Sequence, residues 1–317
     1  MEIVVCSRSF SRNPVLRSEL EARCRQEDDT RLRFNDEGVT LLGAELSRFL
    51  AGAERAIIAL EPVDELLLQS CSQLRVIAKY GVGLNNIHLQ ACADAGVQIG
   101  WTAGVNSQSV AEMCVSLMIA AQRRLFESNR NLLAGKWGQL SGPQLSASTV
   151  GIIGFGHVGQ ALARLLAPFG CSILINDIVD FSSSVRGSAE QVSLDELLRR
   201  SDVISLHVPS TLQTTGMIDA EAIACMRPHA VVVNTARGDI VNLGALRQAL
   251  REKRIAAAAI DVFAPEPPDD AELLALPNLI ATAHLGGSSD QAILAMGRAA
   301  IKGLFEFRPA REFMQYA

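Results

Sequence analysis

A glycine-rich turn, Gly154-Phe-Gly156-His157-Val158-Gly159, follows the apolar run Val150 to Ile153 and precedes the helix-forming run Gln160 to Leu166. The pattern suits a dinucleotide phosphate. The first glycine permits a tight turn, the second lets backbone amides approach a pyrophosphate, and the third allows close helix-strand packing. The helix N-terminus adds partial positive charge, to which the amide of His157 contributes. Eighteen residues past Gly159, the run Ser172-Ile-Leu-Ile-Asn-Asp177 ends on a carboxylate with no Arg or Lys close behind it. Such a carboxylate accepts two hydrogen bonds from an adenosine ribose and repels a 2′-phosphate, so NAD is expected rather than NADP. The plainer alternatives are a ligand-free glycine turn and a solvated Asp.

Three more segments place a charged or titratable side chain just past a β-branched or small apolar run. They are Val231-Val-Val-Asn-Thr-Ala236-Arg237, Ile260-Asp261-Val-Phe-Ala-Pro-Glu266 and Ile280-Ala-Thr-Ala283-His284. In an open α/β sheet, ligands bind at that strand edge. Arg237 can hold a carboxylate or polarise a carbonyl, His284 can exchange a proton, and Glu266 can stabilise the imidazolium. Taken singly, Arg237 reads equally as a surface ion pair, Glu266 as a solvated loop charge and His284 as a hydrogen-bonded loop histidine. Their joint position downstream of a dinucleotide turn favours the chemical reading. His207 also ends an apolar run and is expected to line the adenine side of the cofactor, whereas His88 and His229 read as surface residues.

The scaffold for these residues is legible as alternating short apolar runs and helical patterns. Strands are expected at Glu2 to Cys6, Arg31 to Phe34, Ala56 to Leu60, Arg75 to Lys79 and Val97 to Gly100. After a break they resume at Thr149 to Ile153, Ser172 to Asn176, Val203 to His207, Val231 to Asn234, Ala257 to Asp261 and Leu279 to Thr282. The series predicts an α/β protein with two doubly wound, parallel-sheet, Rossmann-like domains. The break holds a helix with Val110, Met113, Cys114, Leu117, Met118 and Ala121 on its apolar face, and Ser109 and Glu112 at capping-box spacing. A polar stretch from Arg123 to Ser148 follows. Ser288 and Gln291 repeat the capping spacing before a final helix, which could close the second domain or cross back to the first.

Composition narrows the class. The 317 residues carry 29 Lys and Arg against 34 Asp and Glu, a net charge of −5, which argues against a nucleic-acid partner. At 49% hydrophobic and 20% charged, the chain can fill large cores, which excludes disorder and coiled coil. No apolar run approaches the roughly 18 to 20 residues of a membrane span, and the N-terminus reads as a strand and basic turn rather than a signal peptide. A cytoplasmic protein without a membrane partner is expected. The seven cysteines are odd in number and lack a C-x-x-C, so buried free thiols and no metal are expected.

Further motifs join these. They are Lys79-Tyr-Gly81-Val82-Gly83-Leu-Asn85-Asn86-Ile, Asn106 through Val110-Ala-Glu112, Gly135-Lys-Trp137, and His207-Val-Pro209 with Thr214. With them the chain resembles the D-isomer-specific 2-hydroxyacid dehydrogenases over nearly its whole length, in particular the phosphoglycerate dehydrogenase-like branch without a C-terminal regulatory domain. The resemblance implies NAD-dependent interconversion of a small anionic D-2-hydroxyacid and its 2-oxoacid, with Arg237, Glu266 and His284 as the catalytic set. It places the substrate carboxylate at backbone amides near Val82 and Gly83, with Asn106 also on the substrate, and turns Asp261 toward the nicotinamide amide. Val158, Pro209, Thr214 and Ala236 join the glycine turn, Asp177 and His207 around the cofactor. It also implies a discontinuous substrate-binding domain of residues 1–100 plus 288–317, an NAD-binding domain of residues 101–287, an active-site cleft between them, and a homodimer formed through the NAD-binding domain.

Some positions depart from the family pattern. Asn85 and His88 stand where Asp is usual, and Ala283 stands where Pro usually precedes the histidine. Glu266, rather than the Gln of formate dehydrogenases, favours a hydroxyacid. A phosphoglycerate-type substrate is the first expectation. Its rivals are a glyoxylate or hydroxypyruvate reductase, a phosphite dehydrogenase-type oxidoreductase, and an NAD-sensing corepressor-like binding protein. A phosphate needs a cation, and the turn Glu61-Pro-Val-Asp64 is acidic. Arg8, flanked by Ser7, Ser9 and Ser11 after the first strand, is the candidate, set against an ordinary solvated loop residue.

Overall fold

The computed structural model describes residues 1–25 and 29–316. Its strands are β1 (Glu2–Val5), β2 (Arg31–Phe34), β3 (Arg55–Ile58), β4 (Val76–Lys79), β5 (Gln98–Gly100), β6 (Thr149–Ile153), β7 (Ser172–Asn176), β8 (Glu190–Gln191), β9 (Val203–Leu206), β10 (Val231–Asn234), β11 (Ala257–Ile260), β12 (Leu279–Ala281) and β13 (Arg308–Pro309). They divide between two compact units, residues 1–106 with 290–317 and residues 107–289.

In the first unit the sheet order is β13-β5-β4-β3-β1-β2, parallel except for the antiparallel edge strand β13. Successive residues of β1 feed opposite faces. Ile3 and Val5 pack with Phe10, Leu16 and Leu20, while Val4 packs with Leu46, Leu50 and Ile77. Burial on both faces is why the interior strands β1, β3 and β4 read as largely apolar runs, whereas the edge strand β2 carries two arginines. The final helix, Asp290–Gly303, packs on β4 and β5. The first unit also keeps the segment after β5, since Trp101 donates from Nε1 to the Val82 carbonyl at 2.9 Å and meets the Phe313 ring edge-on. The chain therefore leaves this unit after Asn106, later than the expected boundary at residue 100.

The second unit has the all-parallel order β12-β11-β10-β9-β6-β7-β8. Chain order reverses between β6 and β9, so the loops leaving these neighbours diverge and open a crevice at their carboxyl ends. Register sets the two ends level, with Ile153 opposite Leu206. Gly154 and His207 therefore stand side by side.

Four local expectations are corrected. The helix Ser107–Gln122 begins two residues before Ser109, which lies inside it and is not its cap. The final helix begins at Asp290, so its cap position is Ser289 and Ser288 lies one residue before it. The stretch after Arg123 contains a helix, Leu125–Leu133, none of whose residues is buried. Arg8 is not on a loop but in the first turn of a short helix, Arg8–Arg12, capped by Ser7.

Candidate active site

The dinucleotide turn occupies the crevice of the second unit. Gly154 has φ +92°, and a Cβ there would strike the His207 carbonyl group and the Val208 amide, so the β6 turn can pass the β9 turn only as glycine. At Gly159 a Cβ would press on the Gly154 carbonyl. A Cβ at Gly156, by contrast, would meet nothing within 4 Å. That open space lies over the start of the helix His157–Leu166, whose N-cap Gly156 offers no side-chain acceptor to the first-turn amides of His157, Val158 and Gly159. The open cradle and the amide-rich helix end fit a pyrophosphate.

Asp177, at the end of β7, reaches this turn. Its Oδ2 accepts the Phe155 amide at 2.6 Å and its Oδ1 accepts the Val179 amide at 3.0 Å. The carboxylate is thus fixed beside the glycine turn while its remaining lone pairs can still accept. His207 is half-buried, with Nε2 2.9 Å from Ser205 Oγ, and desolvation pushes its pKa down to about 3. A neutral ring suits a cofactor-lining residue better than a proton donor. In the next loop Thr214 donates to the Pro209 carbonyl at 2.6 Å and accepts the Thr211 amide at 2.8 Å, so its hydroxyl braces the loop itself.

The candidate catalytic side chains follow the neighbouring strands β10, β11 and β12. Asn234, fully buried at the end of β10, accepts the Ala236 amide at 3.0 Å and donates to the Arg237 carbonyl at 2.8 Å. This folds the turn carrying Arg237, whose guanidinium donates to the Ala236 carbonyl at 2.6 Å. Burial lowers the Arg237 pKa, while the Asp239 and Glu266 carboxylates act to raise it. The group remains a cation. Gly238 then lies against the backbone of Phe263 and Ala264, leaving no room for a Cβ. The Arg237 turn and the Glu266 turn are therefore in backbone contact.

Glu266 accepts the Phe263 amide at 3.0 Å through Oε1, and its Oε2 lies 2.9 Å from His284 Nδ1. With Nδ1 engaged, Nε2 is the nitrogen left to exchange a proton with a ligand. The side chains of His284 and Glu266 are 52% and 41% exposed, so their pairing contributes little to stability and its consequence is chemical. Asp261 is buried at the end of β11, and its carboxylate is engaged by Thr282 and by the Leu285 and Gly286 amides.

The first unit holds the remaining expected positions. Tyr80, after β4, meets Phe10 edge-on at 5.4 Å, so the Arg8 helix and the turn containing Val82 and Gly83 lie along one sheet edge. Asn86 braces that turn by donating to the Glu61 carbonyl at 2.7 Å, and the buried Lys79 donates to Asn86 Oδ1 and to the Ala59 carbonyl. His88 caps the helix Leu89–Asp94, its Nδ1 accepting the Ala91 amide at 3.1 Å. The role foreseen for the serines around Arg8 is corrected. Ser7 Oγ accepts the Phe10 amide and Ser11 Oγ accepts the Asn35 amide, both from buried positions, so they do not ring Arg8 with donors. Asn106 is half-buried at the end of this unit, immediately before the helix Ser107–Gln122.

Asn234, Gly238 and Thr282 were not singled out as site residues from the sequence, and Ser109 was read only as a helix cap, although the polar Asn234 and the glycine after Arg237 are signals of a shaped turn. Among the described residues, no group of three or more His, Cys, Asp or Glu side chains could hold a metal ion, and no helix is long and apolar enough to cross a membrane.

Residues 115–286 match the model of the D-isomer specific 2-hydroxyacid dehydrogenase NAD binding domain. The chain is 37% identical over 233 residues to a D-3-phosphoglycerate dehydrogenase of Mycobacterium leprae, covering 73% of this chain but only 44% of that protein. It is 36% identical over 245 residues to a hydroxypyruvate reductase of Thermotoga maritima, covering 76% and 79% of the two chains. The crystal structure of D-lactate dehydrogenase with NAD+ from Lactobacillus jensenii superposes with a TM-score of 0.79 at 26% identity, covering 96% of each chain. The matched domain and the 36% identity to a relative covered over 79% of its length show that this chain belongs to the D-isomer specific 2-hydroxyacid dehydrogenase family of NAD-dependent oxidoreductases.

Proposed function

We propose that the protein interconverts a small, unphosphorylated D-2-hydroxyacid and its 2-oxoacid, in the manner of a hydroxypyruvate or glyoxylate reductase. The observation that carries the reaction type is the His284 Nδ1 to Glu266 contact at 2.9 Å, beside a turn presenting Arg237. NAD, when bound at the glycine turn and Asp177, supplies the hydride acceptor or donor at its nicotinamide. Arg237 draws electron density from the substrate carbonyl and orients its carboxylate. His284 takes the hydroxyl proton in oxidation and returns it in reduction, while Glu266 favours the imidazolium. Val82 and Gly83 are assigned to the substrate carboxylate, with Asn106, and His207, Pro209, Thr214 and Ala236 to the cofactor surroundings.

The choice against a phosphorylated substrate rests on the first unit. The Glu61 carboxylate stands on the strand edge that carries Arg8, the Lys79 ammonium is engaged by Asn86 and Ala59, and Ser7 and Ser11 are turned inward. A phosphate beside Arg8 would therefore also meet the Glu61 carboxylate. The experiment is NADH oxidation, followed by near-ultraviolet absorbance, with glyoxylate, hydroxypyruvate and 3-phosphohydroxypyruvate. Preference for either of the first two supports the reading. Preference for the phosphorylated acid, lost in Arg8→Ala, would return the assignment to the phosphoglycerate type.

A homodimer through the second unit is part of this reading. The helix Leu125–Leu133 buries none of its residues and exposes Leu125, Phe126, Leu132 and Leu133, with Leu133 and the nearby Trp137 80% and 86% exposed. An apolar face of this kind on a surface helix suits a second copy of the chain.

A further inference from the structure

Any histidine at position 284 is held in an uncommon backbone conformation. Its φ is +56°, in the left-handed region that non-glycine residues enter only where surrounding structure imposes it. What imposes it is a set of hydrogen bonds that engages most of the polar backbone groups from His284 to Gly286. The His284 amide donates to the Asp261 carbonyl at 2.8 Å. Asp261 Oδ1 accepts the Leu285 amide at 2.8 Å and the Thr282 hydroxyl at 2.6 Å, and Oδ2 accepts the Gly286 amide at 2.8 Å. The Leu285 carbonyl accepts the Ser288 amide at 2.8 Å. From the opposite side, Ser109 in the helix Ser107–Gln122 donates its hydroxyl to the Gly286 carbonyl at 2.7 Å. The turn is packed as well as bonded, since a Cβ at Gly286 would lie 3.2 Å from Asp261 Oδ2 and 3.5 Å from Val110 Cγ2.

We infer that Ser109 and Asp261 are positioning residues for His284, clamping its turn so that the imidazole is delivered to Glu266 in one orientation. The inference rests on the acid-base role proposed for His284. Ser109 lies on a long helix that packs on β10, β11 and β12, so the clamp ties the proton-exchanging turn to a rigid element of the same unit. The carboxylate of Asp261 accepts from three donors and so fixes the backbone of the turn. Two amides converging on one buried carboxylate require an acceptor at both oxygens, and Asn at 261 would place an NH2 donor against one of them.

The test uses the full chain with Ser109→Ala and Asp261→Asn. Without substrate, amide hydrogen exchange at Leu285 and Gly286 should quicken in both variants, and the ring resonances of His284 should shift in Ser109→Ala. With NADH and hydroxypyruvate, Ser109→Ala should lower kcat about three- to tenfold, the rate equivalent of one net hydrogen bond, with little change in KM. Unchanged exchange and ring resonances in both variants would overturn the clamp. Faster exchange with unchanged kcat would make it a stabilising device only and overturn the positioning role. If the wild type reduces no 2-oxoacid, the proposed function fails, while exchange and ring resonances still decide whether the clamp holds His284.

Discussion

His284 Nδ1 lies 2.9 Å from Glu266 Oε2, and the Phe263 amide holds the same carboxylate at 3.0 Å. The proposed acid-base residue and the carboxylate paired with it thus come from the loops after two adjacent strands, β12 and β11. With His284 as the proposed proton donor, reduction of a 2-oxoacid uses the imidazolium, so the rate should fall as pH rises. Removing the neighbouring negative charge disfavours the imidazolium. Glu266→Gln should therefore move the alkaline limb of the reduction profile to lower pH, measured as kcat/KM against pH with NADH. A limb that stays in place would show that Glu266 does not act on His284.

Gly238→Ala should be more damaging than its size suggests. The added methyl meets the Phe263 carbonyl and the Ala264 amide, which are backbone and cannot rotate away. A strained contact of this kind costs about 1 to 3 kcal/mol, and relief would come from separating the Arg237 turn from the Glu266 turn. Both the melting temperature and kcat should fall; wild-type values for both would mean that the two turns need not touch.

Asp177 predicts cofactor choice. At about 4 Å from a 2′-phosphate its charge would cost up to about 4 kcal/mol at an effective dielectric of 20, and solvent exposure reduces this. NAD should exceed NADP by more than about tenfold in kcat/KM. In Asp177→Ala the ratio should narrow while NAD also binds less tightly, because the Phe155 amide loses its acceptor. A ratio unaffected by the substitution would contradict the assignment.

The depressed pKa of His207 makes a prediction about stability. Its folded value of about 3 lies below the ordinary value of about 6.5, so between these pH values the unfolded chain binds the extra proton. The stabilisation is present above pH ~6.5 and is lost progressively as pH falls toward ~3. Wild-type melting temperature should drop more steeply over that window than that of His207→Gln. Parallel curves would show that the ring is solvated.

Much of this was legible in the sequence because parallel strands buried on both faces announce themselves as apolar runs. Eleven strands were expected and found within a residue or two of their ends. The two short strands β8 and β13 were missed, since neither Glu190–Gln191 nor Arg308–Pro309 has an apolar pattern and both owe their conformation to a neighbour at a sheet edge. Arg237, Glu266 and His284 could be found because each follows such a run. Ser109 could not, because its hydroxyl serves the Gly286 carbonyl 177 residues away, and its local spacing to Glu112 suggested a cap instead. The serines beside Arg8 misled for a related reason: polarity in sequence does not reveal which hydroxyls turn inward to serve Phe10 and Asn35.

The exposed face of the helix Leu125–Leu133 should govern assembly. Phe126→Glu with Leu133→Glu should leave the melting behaviour of dilute protein nearly unchanged, because neither residue is buried within the chain, yet convert a dimer to a monomer by sedimentation. A wild type already monomeric at micromolar concentration would contradict the dimer.

The decisive measurement is the single-turnover rate of hydroxypyruvate reduction by NADH in wild type and in His284→Ala. General acid-base catalysis is worth about 10² to 10⁴ in rate, so the variant should lose that much while NADH affinity, read by fluorescence titration, stays within about a factor of two. A loss of less than about tenfold at full NADH occupancy would show that His284 does not carry the proton.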